Sequence, residues 1–336
     1  MAENMSVPTL VFPSMSMGFE HCAHDYLSNN TQPGRNLLLF RSAAVTDMFF
    51  GIDTVYSDAD GTLVPEGATS FPETVVEHIG RLASVGVRTL LVTGKPLTEV
   101  SGLADSLPKG HAIDFIFEKG AYILERNSDG SRRISPLLVS DEDTLAIQAL
   151  KELFVESKRA IENQFAAPMT LGWGGHGTHQ SMLSIDVLLG NPPEDYLQKI
   201  GPERDALKVK DAALLWDVSV AVAEFVRQHT NGWNFVNLGN ANFEIAPGPI
   251  EKDAAIRTLQ SRRGSEAMLV LGDSANDKAM FGLRQDEKMQ VTAGLVLHRQ
   301  TSLPLVDKVD CVSFDMANAS PHMNLLYTAR KHLSRN

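Results

Sequence analysis

From Ile52 onward, apolar and polar positions alternate in a regular rhythm. Val55-Tyr56 runs into Ser57-Asp58-Ala59-Asp60-Gly61-Thr62-Leu63, the pattern of a strand that ends in a polar turn. Ser70 suits the cap of a following helix and Pro72 its first turn. Val75, Ile79, Leu82 and Ala83 then recur at helical spacing as far as Gly86. A second strand, Thr89-Leu90-Leu91-Val92, reaches the turn Thr93-Gly94-Lys95-Pro96. A second helix carries Leu97, Val100, Leu103 and Leu107, and a third strand covers 113–117 before Lys119-Gly120-Ala121. Strand, helix, strand, helix, strand predicts the α/β class with a doubly wound parallel sheet.

The rhythm breaks between about 140 and 245. Helical stretches near 142–164 and 211–228 flank segments that alternate with period two, Leu183-Ser184-Ile185-Asp186-Val187 and Asn242-Phe243-Glu244-Ile245. Such strands are expected to be half exposed, in an antiparallel sheet covered on one side. The βα rhythm then returns. A helix over 249–262 turns Ile256 and Leu259 inward, Ala267-Met268-Leu269-Val270-Leu271 reads as a central parallel strand, and a helix follows over 278–283. The expected division is an irregular extension over 1–48, a core built from 49–139 and 246–336, and an inserted α+β unit over 140–245. Pro8, Pro13, Asn29, Asn30 and Pro33 punctuate the extension, which is free to pack on a domain or a partner. Its run Glu20-His21-Cys22-Ala23-His24-Asp25 holds ligand-type residues, but the spacing matches no closed metal site and predicts a solvated loop.

Composition narrows the partners. The 336 residues are 43% hydrophobic and 21% charged, ordinary for a globular chain of about two domains. Thirty basic against 41 acidic side chains leave a net charge of -11, which disfavours nucleic-acid and anionic-membrane partners. No apolar run approaches the ~20 residues that span a bilayer, and no secretory signal is evident. Two cysteines, Cys22 and Cys311, make no disulfide scaffold and fit a reducing cytosol, so a cytoplasmic location is expected. Oligomeric state is left open.

Four polar clusters follow the strands or open a helix, and in an open α/β sheet ligands bind outside the carboxyl ends of the strands. They are Asp58 with Asp60; Thr93 with Gly94; Lys252 in the first turn of its helix; and Asp273 and Asp277 with Ser274 and Asn276. Carboxylates, other oxygen donors and one lysine suit Mg²⁺ and a phosphate. Asp58 is placed to attack phosphorus and Asp60 to protonate the leaving alcohol and then activate water. Thr93, Gly94 and Lys252 would hold phosphate oxygens. Asp273 would bind the metal, with Asp277 as a ligand or an orienting group behind it.

At these residues the chain resembles the haloacid dehalogenase superfamily. Asp58-Ala59-Asp60-Gly61-Thr62-Leu63 is similar to its nucleophile motif, and Thr93, Lys252 and Gly272-Asp273-Ser274-Ala275-Asn276-Asp277 to its second, third and fourth motifs, in order. The insertion between the second and third motifs resembles the subclass with a type II, subtype B α/β cap, which includes sucrose-phosphatase-like and Cof-like phosphatases. The resemblance covers residues from about 50 to 336. It implies a Rossmann-like core, Mg²⁺, Asp58 as nucleophile, Asp60 as acid/base and a metal contact from the Asp60 backbone carbonyl. The reading it implies is a phosphomonoester hydrolase acting through an aspartyl-phosphate on a small phosphorylated metabolite, with a sugar phosphate as the expected class. A phosphomutase using the same intermediate and a non-catalytic binding protein on the same fold are the alternatives.

One pattern competes. Gly172-Trp173-Gly174-Gly175-His176-Gly177 fits a dinucleotide-binding glycine motif on paper, but that reading needs a helix after it. The segment after it reads as a strand, so a turn in the inserted unit is expected. His176 and His179 are candidates there for contacts to sugar hydroxyls. Asn234, Asn237, Asn240, Asn242 and Glu244 suit polyol recognition and turn or edge-strand roles equally well.

Overall fold

The computed structural model describes residues 9–12, 19–29, 37–111, 113–174, 177–199, 201–237, 241–248, 250–264, 267–297, 300–314 and 319–333. Its strands are β1 (Thr9–Val11), β2 (Leu37–Phe40), β3 (Thr54–Ser57), β4 (Arg88–Val92), β5 (Ile113–Phe117), β6 (Tyr122–Arg126), β7 (Arg132–Pro136), β8 (Met169–Trp173), β9 (Leu183–Leu189), β10 (Asn234–Asn237), β11 (Asn242–Ala246), β12 (Ala267–Gly272), β13 (Gln290–Val296) and β14 (Cys311–Ser313). The helices are α1 (Phe19–Asn29), α2 (Ala44–Gly51), α3 (Glu73–Ser84), α4 (Leu97–Ser106), α5 (Asp141–Glu162), α6 (Gly201–Asp205), α7 (Ala212–His229), α8 (Lys252–Arg263), α9 (Lys278–Gly282) and α10 (Ser320–Leu333).

The larger sheet runs in the order β1-β2-β14-β13-β12-β3-β4-β5-β6-β7. From β14 through β5 neighbouring strands are parallel, as the doubly wound pattern predicts. Its central strands are apolar on both faces because helices cover both. Val55, Leu91, Leu269 and Leu271 pack with Val75, Ile79 and Leu82 of α3, Val100 and Leu103 of α4, and Met323 and Leu326 of α10. Their neighbours Tyr56, Leu90, Met268 and Val270 pack on the other side with Ile256 and Leu259 of α8 and Met280 and Phe281 of α9. Antiparallel pairs flank this parallel centre: β2 against β14, with β1 added parallel to β2, and the hairpin strands β6 and β7 beyond β5.

Three expectations change. Residues 1–48 are not irregular throughout. β2 extends the sheet, with Leu38, Leu39 and Phe40 fully buried, and the 20–25 run lies in α1 rather than in a loop. Phe19, Cys22 and Ala23 fall one helical turn apart and bury together, which is what makes that segment a helix despite its polar composition. Second, α3 begins without help from Ser70. Pro72 takes the cap position with no side-chain hydrogen bond.

Third, the smaller sheet, β10-β11-β9-β8, is antiparallel but not half exposed. Its apolar face packs Leu171, Ile185, Val187, Phe243 and Ile245 on Leu150 and Phe154 of α5 and Val218, Val222 and Phe225 of α7. Its polar face is also covered, at one end, by the segment after β9. Arg204 of α6 donates from Nε to Asp186 at 2.8 Å and from its terminal nitrogen to the Trp173 carbonyl at 2.7 Å. Asn242 donates to Asp186 at 2.8 Å, and Lys208 lies 3.6 Å from the same carboxylate. Buried polar groups are tolerable only with partners of this kind.

Two histidines in the helical layer of α3 and α10 give a pH signature. His78 and His322 are buried, and burial pushes their pKa values down to about 4 and about 3. The unfolded chain binds protons near the ordinary value, whereas the folded chain resists them until well below it. Stability is therefore present above ~pH 6.5 and is lost as pH falls toward ~4, on the order of 3 kcal/mol per histidine. Thermal melts at pH 7, 6, 5 and 4 should show a shallower acid decline for His322→Leu than for the wild type.

Candidate active site

The site begins where the two central strands stop. Asp58 follows β3, and its N–H donates to the Leu271 carbonyl of β12 at 2.9 Å, the last rung of that ladder. The chain then folds tightly back: the N–H groups of Thr62, Leu63 and Val64 all point to the Ala59 carbonyl, at 3.2, 2.9 and 2.9 Å. Gly61 sits at φ 72°, a conformation that favours glycine. This turn holds Asp60 at the mouth of the site, where Oδ1 accepts the Gly67 N–H at 3.1 Å and Oδ2 meets Lys95 Nζ at 2.9 Å.

β12 ends at Gly272, and the 3₁₀ turn Ala275–Asp277 follows. Asp277 Oδ2 accepts the N–H groups of Asp273 at 3.0 Å and Ser274 at 3.2 Å, so the carboxylate knots its own loop. Its Oδ1 accepts from Lys252 Nζ at 2.8 Å, and the same ammonium donates to Asp58 Oδ1 at 2.8 Å. Lys252 is the first residue of α8, a position where the helix dipole favours anions rather than a cation. The two carboxylates reverse that preference. Burial alone would lower the lysine pKa, but Asp277 and Asp58 hold it above the ordinary range.

Asp58, Asp273 and Asp277 each place a carboxylate oxygen within 4.8 Å of the others, and all three are buried. Thr62 Oγ1 lies 3.4 Å from Asp273. Burial, together with the negative charge of Asp277 and Asp60, pushes Asp58 up to about 7 against the pull of Lys252. Thr93 follows β4, with its N–H on the Ile116 carbonyl at 2.9 Å and its hydroxyl accepting the Lys95 N–H at 3.2 Å.

These groups border a cavity of about 290 Å³. Asp58, Asp60, Thr93, Gly94, Lys252, Asp273, Ser274 and Asn276 all line it, so the strand ends converge as expected. Asp277 stands behind them, fully buried, with both oxygens engaged. His176 lies outside the described residues. His179 does not line the cavity: its Nε2 lies 3.1 Å from the Gly94 carbonyl. Among the asparagines, Asn242 is turned to Asp186 and Ser184 within its own sheet.

Glu244, named above with the asparagines, also lines the cavity, and three further lining residues are Glu66, Lys95 and Lys119. Lys95 ion-pairs with Asp60 and with Glu99, each at 2.9 Å. Lys119 forms an ion pair with Glu244, which comes from β11 of the smaller sheet. The strand-end rule that located Thr93 applies equally to Lys119 after β5, and Lys95 shares the Thr93 turn. Glu66 has no comparable signal.

Such an arrangement offers a carboxylate hydrogen-bonded to a fixed ammonium, and an all-oxygen donor set suited to a hard cation. A family model for haloacid dehalogenase-like hydrolases matches residues 55–284, and the chain belongs to that family. Solved structures share the fold at low identity. A Thermoplasma acidophilum protein is 17% identical, with 83% of this chain and 98% of that one covered and a TM-score of 0.50. Trehalose-6-phosphate phosphatase of Aspergillus fumigatus is 15% identical, with 86% and 97% covered and a TM-score of 0.51. A Eubacterium rectale protein is also 15% identical, with 84% and 99% covered and a TM-score of 0.51. No curated protein matches the chain.

The knot after β12 leaves no room at its base. A Cβ on Gly272 would lie 2.5 Å from Asp277 Cβ, Cγ and Oδ2. Gly272→Ala should cost about 1–3 kcal/mol through overpacking. A calorimetric melt should show the midpoint falling by about 2–4 °C for each kcal/mol lost.

Proposed function

We propose that the chain is a Mg²⁺-dependent phosphomonoester hydrolase that works through an aspartyl-phosphate on a small phosphorylated metabolite, a sugar phosphate in class. The observation that carries this reading is the Lys252 ammonium held between Asp58 and Asp277 beside Asp273. Asp58, Lys252 and Asp273 line one polar cavity, which supports giving them the roles of nucleophile, phosphate-binding cation and cation-binding carboxylate.

In this reading Thr93, Gly94 and Lys252 hold the phosphate oxygens, and an Asp58 oxygen attacks phosphorus. As the new O–P bond forms, the bond to the leaving alcohol breaks, and Asp60 gives that alcohol its proton. Asp60 then takes a proton from water, which attacks the aspartyl-phosphate and frees inorganic phosphate and Asp58. Lys95 keeps Asp60 aimed at the cavity mouth.

The donor set fits Mg²⁺. Every candidate ligand is oxygen, and three buried carboxylates outweigh the single Lys252 charge among them. Asp58, the Asp60 carbonyl and Asp273 would hold the ion, with Asp277 orienting them. When bound, it would screen Asp58 from the phosphate and polarise phosphorus.

Residues 49–139 and 246–336 would form the catalytic core and 140–245 the cap that selects the leaving group, with Glu244 its representative in the cavity. A wall of Lys119, Glu244, Glu66 and Lys95 suits hydroxyls rather than apolar groups. The Aspergillus fumigatus protein of like fold is named for a sugar phosphate, the same class. Among the described residues no helix is long and apolar enough to cross a membrane. Both cysteines are free and buried, which fits a cytoplasmic setting.

The test is phosphate release from a panel of phosphate esters. Asp58→Asn should lower turnover at least about a thousandfold while leaving the melting profile folded. Chelation should abolish turnover and added Mg²⁺ restore it. Full turnover by Asp58→Asn would overturn the mechanism, and isomerised sugar phosphate in place of inorganic phosphate would assign a mutase.

A further inference from the structure

The loop after β5 has a backbone that needs an explanation. Glu118, Lys119 and Gly120 have consecutive φ values of 49°, 57° and 113°. Two side-chain-bearing residues in the left-handed region are costly, and such strain persists only where the surroundings hold it. Lys119 faces the cavity, whereas Glu118 does not line it.

The Glu118 carboxylate is fully buried against the segment that leads into β9. It accepts the Gln180 N–H at 2.9 Å on both oxygens, the Ser181 N–H at 2.7 Å and the Ser181 hydroxyl at 2.6 Å. All these donors belong to the 140–245 unit, and the acceptor belongs to the loop that follows β5 of the larger sheet. Lys151 of α5 supplies complementary charge: burial lowers its pKa and Glu118 opposes that shift. The same lysine donates to the His179 carbonyl.

On its other side the loop is tied to the phosphate-side turn. Lys119 N–H donates to the Thr93 carbonyl at 2.9 Å and Glu118 N–H to the Lys95 carbonyl at 3.1 Å. One strained loop thus grips the smaller sheet and the Thr93 turn at once.

We propose that Glu118 is a positioning residue that clasps the 140–245 unit shut over the cavity, so that an extended leaving group is retained only while the clasp holds. A buried carboxylate accepting several N–H and O–H donors forms the stronger, charge-assisted kind of hydrogen bond. The cavity opens only when these bonds part, a motion of the lid type. The chemistry at Asp58 makes no use of them. The kinetic consequence rests on the phosphatase reading, whereas the clasp itself does not.

Glu118→Gln tests the idea at constant volume, because it removes the negative charge and replaces one of the two acceptor oxygens with an N–H donor. Hydrogen–deuterium exchange on the full chain should show the amides of 180 and 181 exchanging at least about tenfold faster than in the wild type, as expected when charge-assisted bonds are lost. The specificity constant for a disaccharide phosphate should fall about tenfold, chiefly through KM, while that for p-nitrophenyl phosphate stays within about twofold. Unchanged exchange at 180 and 181 would overturn the clasp, as would an equal fall for both esters. If Glu118→Gln does not fold, Ser181→Ala decides: faster exchange at 180 and 181 supports the clasp and unchanged exchange overturns it. A wild type that hydrolyses no ester would sink the phosphatase reading, and exchange would still decide the clasp.

Discussion

The Lys252 ammonium, 2.8 Å from both Asp58 and Asp277, is the contact on which the rest of the site depends. Three buried carboxylates within 4.8 Å of one another repel, and an unpaired buried charge is among the costliest things a fold can contain. A single cation between two of them makes the cluster tolerable. That requirement fixes three elements together. β3 and β12 must end side by side, as the pairing of Leu271 with Ser57 provides, and α8 must start where its first side chain reaches both loops. Asp277 transmits the constraint further, because the oxygen that Lys252 does not use holds the backbone of Asp273 and Ser274. The position of the candidate metal ligand Asp273 therefore follows from the ion pair beside it.

The central sheet and the converging loops were legible in the sequence because both are local properties. An apolar run followed by a polar turn specifies a strand end, and parallel neighbours bring such ends to one edge. The edges were harder. Leu37-Leu38-Leu39-Phe40 is too short to assert itself after the polar run Asn29 to Asn36 with its Pro33, and its strand identity comes from a distant partner, β14. The polar face of the smaller sheet failed for a related reason. Alternation tells which side chains share a face, not what covers it, and Arg204 reaches Asp186 from beyond the strand. His179 shows the limit for single residues. Its place near the site was readable from its neighbours, but the Gly94 carbonyl that takes its ring depends on how two sheets meet.

Lys95, Lys119 and Glu244 show how the cavity wall is built from pairs that span separate elements. Lys95 joins the Thr93 turn to Asp60, and Lys119 joins the loop after β5 to β11. Neither pair is near enough in sequence to be read from spacing. Both place a cation beside a carboxylate at the rim, so the wall is polar without a uniform sign. Hydroxyl-rich groups can pair with either partner, whereas an apolar leaving group would desolvate both at a loss.

The acidity of the whole chain, with its net charge of -11, recurs in the cavity. Five carboxylates line it, Asp58, Asp60, Glu66, Glu244 and Asp273, against three ammonium groups, Lys95, Lys119 and Lys252. Each lysine is already committed to carboxylates. A phosphate ester entering alone would meet a surplus of its own sign, and Asp58, raised to about 7 first by burial, is raised further by the charges of Asp277 and Asp60. A hard divalent cation would reverse both effects at once: it would favour the ionised Asp58 and offset the charge of the phosphate. In the proposed mechanism the acidic balance is therefore compatible with an anionic substrate, because the carboxylates that repel it are the ones that would recruit the metal.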